Sequence, residues 1–316
     1  MPRGTPVARL LSEHVALFAP RYMSVSPLGD NRSMPTMIDH IVVVVRDLET
    51  ATADAVRAGF TVTPGGEHAG GATHNALIPF ADGSYIEVIA FREPDERQAH
   101  KWWPRLWKGE GLVDFALLSS DLATDVRNID LRGVKLAAPA DSGRLRPDGE
   151  RLEWRAVQTQ ETVGESGLPF IIEDVTPRAL RVSNDATATT HRNGATGIAG
   201  VSVVVADLGS SRMLFGQLLG TKGMPSGGDR DEIRGGIRFP LGSQWIELLE
   251  PAEVVVDDTP TLDENVVSRY LALYGNGPFE VVLRTGDLDA ATPVPRSGDP
   301  IDNRLMHGAR FRLAPA

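Results

Sequence analysis

The chain repeats one short stretch of sequence at a fixed spacing, and this repeat constrains the fold more than any other feature. Residues 38–48 read IDHIVVVVRDL and residues 198–208 read IAGVSVVVADL, an offset of 160 residues. The same offset carries YIEV at residues 85–88 onto WIEL at residues 245–248. Two well-separated matches at one offset indicate that the chain consists of two related halves.

Two weaker copies of the first stretch divide each half again. Residues 111–122 read GLVDFALLSSDL and residues 277–288 read GPFEVVLRTGDL. All four copies end in Asp-Leu, with the aspartates at Asp47, Asp121, Asp207 and Asp287. An apolar run followed by such an aspartate predicts a strand and then a helix that the carboxylate caps. Each half is therefore predicted to contain two units.

The first unit shows what each unit contains. A helix is predicted over Leu48–Ala58, ended by Gly59, and strands over Thr73–Phe80 and Tyr85–Phe91, joined by an Asp-Gly turn. A strand, a helix and two or three antiparallel strands leave one sheet face apolar, so units must pair to cover it. The predicted fold class is α+β, with paired βαβββ units that form cupped mixed sheets in two tandem halves.

Composition changes along the chain set the predicted domain boundaries. Residues 1–35 are predicted to be a poorly ordered N-terminal extension, and residues 36–177 the first half. Residues 178–196, rich in Ser, Thr, Asn, Asp and Ala, are predicted to be a linker. Residues 197–316 form the second half, whose last unit is degenerate because Pro293 and Pro295 follow soon after Asp287.

Composition also excludes several classes of function. The 42 acidic against 32 basic residues give a net charge of -10, which is unsuited to wrapping nucleic acid. The chain has no cysteine, so disulfide frameworks and thiolate metal sites are excluded. No apolar run approaches the ~20 residues of a membrane helix, and no phosphate loop or dinucleotide fingerprint is present, so no nucleotide cofactor is expected. We expect a cytoplasmic protein that binds neither nucleic acid nor membrane.

The paired βαβββ pattern, the opening IDHIVVVVRDL and the closing YIEV resemble the vicinal oxygen chelate superfamily, and within it the glyoxalase-like domain proteins (glyoxalase/bleomycin resistance/dioxygenase type). The resemblance implies that two units form a cup. It also implies that a divalent metal, when present, takes its ligands from the first and last strands of each unit. Because the superfamily includes isomerases, lyases, dioxygenases and proteins that sequester a ligand without metal, the fold does not fix the function.

The ligand positions that the resemblance implies can be read from the four copies. The residue seven before each Asp of Asp-Leu is His40, Asp114, Gly200 or Glu280. The last-strand position is held by Glu87, Glu173 and Glu247, and in the fourth unit by Arg310 or Arg312. The first half thus offers a metal site of His40, Glu87 and Asp114, suited to Zn, Mn, Ni, Fe or Mg. The second half, with a glycine and an arginine, is expected to be metal-free.

A structural interpretation of the same residues stays open. A histidine at a strand start is often a hydrogen-bonded structural residue, and a carboxylate in an apolar strand is stable when it is paired. Glu247 holds the place of Glu87 in the half that is expected to be metal-free, which supports a structural role for both.

Other residues are candidates for contact with substrate. Glu173 or His74 is expected to move a proton, and Asn75 to contact substrate if this strand lines the cup. The segment KWWPRLW at residues 101–107 contains Trp103 and Trp107. These side chains are expected to cover the cup or to form a subunit contact; the alternative is that they pack as core beneath the linker. Histidines 68 and 100 stand in loop or linker sequence and are expected to be solvated.

These observations favour a divalent-metal-dependent isomerase or lyase that acts on a small substrate with vicinal oxygens. A dioxygenase is less favoured, because Asp114 stands where a second histidine is expected. The alternative is a metal-free protein that binds or sequesters a small molecule. A third hypothesis is a noncatalytic scaffold that dimerises, and a homodimer is left open in every case.

Overall fold

The computed structural model describes residues 34–160, 165–226, 231–252, 265–286 and 300–315. Nearly all of the predicted N-terminal extension, and Asp287 with the two prolines after it, lie outside them. In the first half the elements are β1 (Met37–Val45), α1 (Leu48–Arg57), β2 (Thr63–His68), β3 (Thr73–Pro79), β4 (Tyr85–Phe91), α2 (Trp103–Lys108), β5 (Gly111–Leu118), α3 (Leu122–Leu131), β6 (Ala140–Leu145), β7 (Arg151–Val157) and β8 (Phe170–Asp174). After them come α4 (Arg178–Arg181), α5 (Ala186–Thr189), β9 (Ala195–Val204), α6 (Leu208–Leu219), β10 (Met224–Ser226), β11 (Ile233–Leu241), β12 (Gln244–Pro251), α7 (Val266–Tyr274), β13 (Gly277–Thr285) and β14 (Phe311–Pro315).

The first eight strands close into a barrel in the order β1-β4-β3-β2-β6-β7-β8-β5. Strand β1 pairs in parallel with β4 and antiparallel with β5, which joins the two βαβββ units side by side. The barrel closes where β2 meets β6 through two register pairs, Glu67 with Leu145 and His68 with Arg144. We call this junction the β2–β6 seam.

The predicted helix caps are confirmed wherever the structure describes them. The carboxylates of Asp47, Asp121 and Asp207 accept hydrogen bonds from the third residue along, at 2.6, 3.0 and 2.6 Å. Each bond satisfies one of the free N–H groups of a helix start, so the Asp-Leu signal fixes where α1, α3 and α6 begin.

The second half forms a six-stranded sheet in the order β10-β11-β12-β9-β13-β14. Gly200 pairs with Trp245 in the same register in which His40 pairs with Tyr85. A Cβ built on Gly200 would lie 2.2 Å from the Trp245 indole, so only glycine leaves room for that ring. In the first half the Tyr85 ring instead stacks on the His40 imidazole, with 4.6 Å between centroids.

One continuous apolar core draws buried side chains from both halves, including Ile41, Val43, Val201, Val203 and Phe239. The fold is α+β, with curled or closed mixed sheets, as the sequence predicts.

The segment 178–196 contains α4 and α5, and its Arg181 is buried against the first half. No helix in the described ranges is both long and apolar enough to cross a membrane.

Candidate functional site

The barrel of the first half contains a cavity of about 570 Å³ that is partly open to solvent. Since side chains alternate along a strand, each barrel strand sends every second residue inward. The polar residues that matter for chemistry on this inner surface are His40, His68, Asn75, Tyr85, Glu87 and Arg144. A cavity of this size suits one small molecule.

Glu87 is the centre of this polar cluster and is buried. Asn75 Nδ2 donates to its Oε1 at 2.6 Å, His68 Nε2 lies 3.3 Å from the same oxygen, and His40 Nε2 lies 3.5 Å from Oε2. Burial alone would raise the pKa of Glu87, but hydrogen bonding to His68 and the charges of His68 and His40 lower it to about 2. Glu87 is therefore a carboxylate at any physiological pH.

The His40 ring is held in one orientation from its far side. Its Nδ1 lies 2.6 Å from Oδ2 of buried Asp39. Burial by itself would raise the pKa of Asp39, but Arg181, His40 and Arg178 hold it well below its usual range. Because an ionised carboxylate can only accept, Nδ1 carries the proton of this bond and Nε2 is directed toward Glu87.

The expectation that His68 is solvated is wrong, since this residue lines the cavity with only 17% of its side chain exposed. Its Nδ1 lies 2.9 Å from Thr73 Oγ1, and its ring meets the edge of Trp154 at 6.1 Å between centroids. His68 and His40 are thus both held at Nδ1, and both present Nε2 to the one carboxylate of Glu87.

Tyr85 adds a neutral hydrogen-bonding group to the cavity wall. Its Oη accepts a hydrogen bond from Arg181 Nη1 at 2.6 Å, which leaves the phenolic proton free to point elsewhere. Burial raises the pKa of Tyr85 above its ordinary value, so the phenol stays protonated.

Asp114 does not join this cluster. Its Oδ2 lies 2.7 Å from Lys101 Nζ and accepts a hydrogen bond from Trp102 Nε1 at 3.0 Å. Asp114 lines a smaller adjoining pocket with Lys101 and Phe170. Lys101 therefore neutralises the carboxylate that the sequence places next to His40.

Glu173 and His74 were expected to face the cup, and the structure corrects both positions. Phe170 and Ile172 line the cavity, so the next residue, Glu173, is on the outer face of β8. It pairs there with Arg155 and accepts from Leu122 N at 3.2 Å. His74 lines a groove on the outer surface. Proton transfer in the cavity by either residue has no geometric basis.

The tryptophans of residues 101–107 have three different environments. Trp103 is buried, and its ring meets the edge of Phe91 at 5.3 Å. Trp107 is 67% exposed, and neither it nor Trp103 lines the cavity. Trp102 does line it, beside His100, whose pKa burial lowers to about 4. His100 is thus a neutral imidazole at pH 7, and its predicted solvation is corrected too.

In the described part of the chain, no group of three or more His, Asp or Glu side chains is arranged, as it stands, to hold a metal ion. His40, His68 and Glu87 come nearest by donor chemistry, with the Asn75 amide already bound to Glu87. In the second half, Glu247 holds the place of Glu87 and is paired with an arginine, since Arg238 Nη2 lies 3.0 Å from it.

Residues 38–219, more than half of the chain, match the sequence profile of the glyoxalase-like domain family. The chain belongs to this family, within the vicinal oxygen chelate superfamily. The glyoxalase-like match begins in β1 and ends with α6, so it covers the whole cavity. No curated protein matches the sequence significantly.

The fold is similar to that of two solved structures. A hypothetical protein from Staphylococcus aureus superposes with a TM-score of 0.62 at 13% identity, covering 88% of this chain and 99% of the other. A triple mutant of 4-hydroxymandelate synthase from Streptomyces coelicolor superposes with a TM-score of 0.53 at 16% identity, covering 81% and 72%. At such identities the likeness shows the shared fold alone.

Proposed function

We propose that this glyoxalase-like protein is an isomerase or lyase that transforms a small molecule with vicinal oxygens inside the first-half barrel. A divalent cation held by His40, His68 and Glu87 takes part. The observation that carries the proposal is that both imidazoles are fixed through Nδ1 and direct Nε2 toward one buried carboxylate.

The donor set fits such a cation. Two imidazoles and a carboxylate favour Zn, Fe, Ni or Mn over Mg, which prefers oxygen ligands. Because His68 supplies the second histidine that Asp114 does not, the donor set also removes the sequence-based objection to a dioxygenase. Two ligands ~2.1 Å from a tetrahedral ion would stand ~3.4 Å apart, close to the 3.3 and 3.5 Å between the imidazole nitrogens and Glu87. Holding a nitrogen ligand from its far side is also typical of metal-binding histidines. Loading requires Asn75 to release Glu87, since its amide bonds Oε1.

The pKa of Glu87 decides which part it plays. A carboxylate with a pKa of about 2 is a poor proton acceptor at neutral pH but a good partner for positive charge. Glu87 therefore anchors charge rather than carrying a proton. A bound cation would polarise a substrate oxygen as a Lewis acid. Tyr85, a neutral donor on the cavity wall, would hydrogen-bond to the oxygen on which negative charge develops.

Metal stoichiometry tests the proposal. Untagged protein is stripped with chelator, incubated separately with Zn, Mn, Ni and Fe(II), desalted and analysed by elemental mass spectrometry. We expect one ion per chain in the wild type, and its loss in His68→Gln and Glu87→Gln. His74→Gln removes an imidazole from the outer surface and should keep the ion. Isomerisation or cleavage of α-hydroxycarbonyl and α-dicarbonyl compounds is then followed by NMR.

Either of two results would sink the proposal. One is a wild type that retains no ion under any of the four conditions. The other is an ion that survives both cavity variants, which would place it elsewhere in the chain.

A second candidate, a metal-free binding protein, rests on a different observation. Asn75 and two imidazoles already satisfy Glu87, and Lys101 neutralises Asp114 in the adjoining pocket, so both carboxylates are stable without a cation. Trp102 and Trp154 line the cavity and report on its contents. Saturable quenching of their fluorescence by a small molecule in excess chelator, with no turnover when metal is restored, would favour this candidate.

A further inference from the structure

A buried guanidinium at the far side of Asn75 is not used by the cation site. Arg144 lines the cavity and is 5% exposed, and it stands opposite His68 across the β2–β6 seam. Its Nη1 donates to Asn75 Oδ1 at 3.3 Å and its Nη2 to the Arg181 carbonyl at 2.9 Å. Its Nε is buried and has no hydrogen-bond partner among the described residues.

The other cations around the cavity have carboxylate partners. Lys101 pairs with Asp114 at 2.7 Å, and Arg181 pairs with Asp39 at 2.9 Å as well as with Asp174. Within the described ranges, Arg144 has no carboxylate within ion-pair distance.

The carboxylates nearest to Arg144 along the structure do not pair with it directly. Asp141, on the same strand, lines the cavity but is exposed to solvent. The charge of Glu87 favours that of Arg144 only from a distance, because the Asn75 amide stands between them. A buried charge without a counter-ion is costly, and burial accordingly lowers the pKa of Arg144. A charge kept in such a place indicates that an anion from outside the chain completes it.

We propose that Arg144 docks the carboxylate of a small monoanionic organic acid, whose oxygen on the adjacent carbon faces His68 and Glu87. The inference rests on the proposed function for that second end, and it names the substrate class. The planar guanidinium matches a carboxylate. The Glu87 carboxylate in the same cavity disfavours a second negative charge, so a monoanion fits better than a phosphate dianion. Asn75 lies between Arg144, to which it is bonded through its oxygen, and Glu87, from which its nitrogen withdraws when a cation binds.

The test compares an acid with its uncharged ester. Phenylpyruvate and methyl phenylpyruvate share a phenyl ring and adjacent carbonyl oxygens and differ in charge. Their binding to full-length protein is measured by isothermal titration calorimetry. We expect the wild type to bind the acid at least about tenfold more tightly, since a hydrogen bond to a buried charge has about that effect. Arg144→Gln should lose this preference, and Arg144→Lys should keep part of it.

Arg146→Gln is the matched control, because Arg146 follows β6 and pairs outside the cavity with Glu150. It should leave both affinities unchanged. The inference is overturned if the wild type binds acid and ester equally, if it binds neither, or if a folded Arg144→Gln keeps the preference. If Arg144→Gln fails to fold, the difference between acid and ester binding by the wild type still tests the inference.

Metal stoichiometry, measured on the same samples, separates the two claims. Normal metal content without a preference for the acid refutes the carboxylate site and leaves the proposed function standing. A preference for the acid that depends on Arg144, in protein that takes up no metal, refutes the cation and leaves the carboxylate site standing.

Discussion

Replacing Glu87 by glutamine tests the electrostatics of the cavity directly. The substitution keeps the size of the side chain and one acceptor oxygen but removes the charge that His40 and His68 stabilise. We expect Glu87→Gln to be less stable than the wild type at pH 7, and the difference to shrink in acid.

The magnitude follows from the pKa of Glu87. Its fall from the ordinary 4.5 to about 2 corresponds to about 3 kcal/mol of unfolding free energy, since one pKa unit is worth about 1.4 kcal/mol. A carboxyl group with a lowered folded-state pKa stabilises the fold fully above its unfolded pKa. That contribution is lost as the pH falls from 4.5 toward 2, and roughly a third to a half of it is gone by pH 3.5.

The assay is urea unfolding followed by circular dichroism at several pH values between 8 and 3.5, on metal-free protein. Glu67→Gln is the control. Glu67 is on β2, two strands away from Glu87 on β4; its side chain is about half exposed and pairs with Arg92. It should change the unfolding free energy by no more than about 0.5 kcal/mol at any pH. A wild-type to Glu87→Gln difference that stays constant from pH 8 to 3.5 would refute the reasoning.

Three further substitutions or titrations test other parts of the structure. The His100 imidazole should titrate near pH 4 rather than 6.5 in an NMR titration, because burial lowers its pKa; its contribution to stability is then full above pH 6.5 and falls in acid. Gly200→Ala should lower the unfolding free energy by about 1–3 kcal/mol in urea melts, since the new methyl group meets the Trp245 ring. Asp39→Asn should lower it by about 2–3 kcal/mol, because it removes one charged partner of buried Arg181 while Asp174 remains.

Matched controls accompany these measurements. Gly209→Ala adds the same methyl group near the start of α6, where the nearest atom is 3.4 Å away, and should be close to neutral. Asp95→Asn removes an exposed partner of Arg46 and should also be close to neutral. A His100 midpoint near 6.5 would contradict its burial, and equal losses in variant and control would contradict the packing and pairing arguments.

Local signals in the sequence account for most of the fold. Strand β4 has the predicted bounds Tyr85–Phe91, and the Asp-Leu dipeptides mark three helix starts. These predictions succeed because caps, turns and apolar runs act over a few residues. Closure of the first half into a barrel was beyond them, since it depends on two register pairs between distant strands.

The site was harder to predict because one residue of register moves a side chain through the barrel wall. His40, Asn75 and Glu87 line the cavity, whereas Glu173 follows inward-facing Ile172 and is turned outward. His68 was missed because its strand reads TPGGEH, which resembles a loop and carries a register shift at its glycines. No pattern in the sequence marks Arg144. It is singled out because no described carboxylate lies within ion-pair distance of it, and only the structure shows that.

The β2–β6 seam has a consequence for how molecules enter and leave. The seam has two register pairs, whereas β3 and β4 share seven. The barrel wall should therefore open first at the seam, and the seam amides should exchange hydrogen faster than those of the other strand junctions. His68 and Arg144 face each other across this junction, so opening it separates the two ends of the proposed binding site in one motion. A ligand that bridges them would hold the wall shut, and its residence time and the protection of the seam amides should rise together.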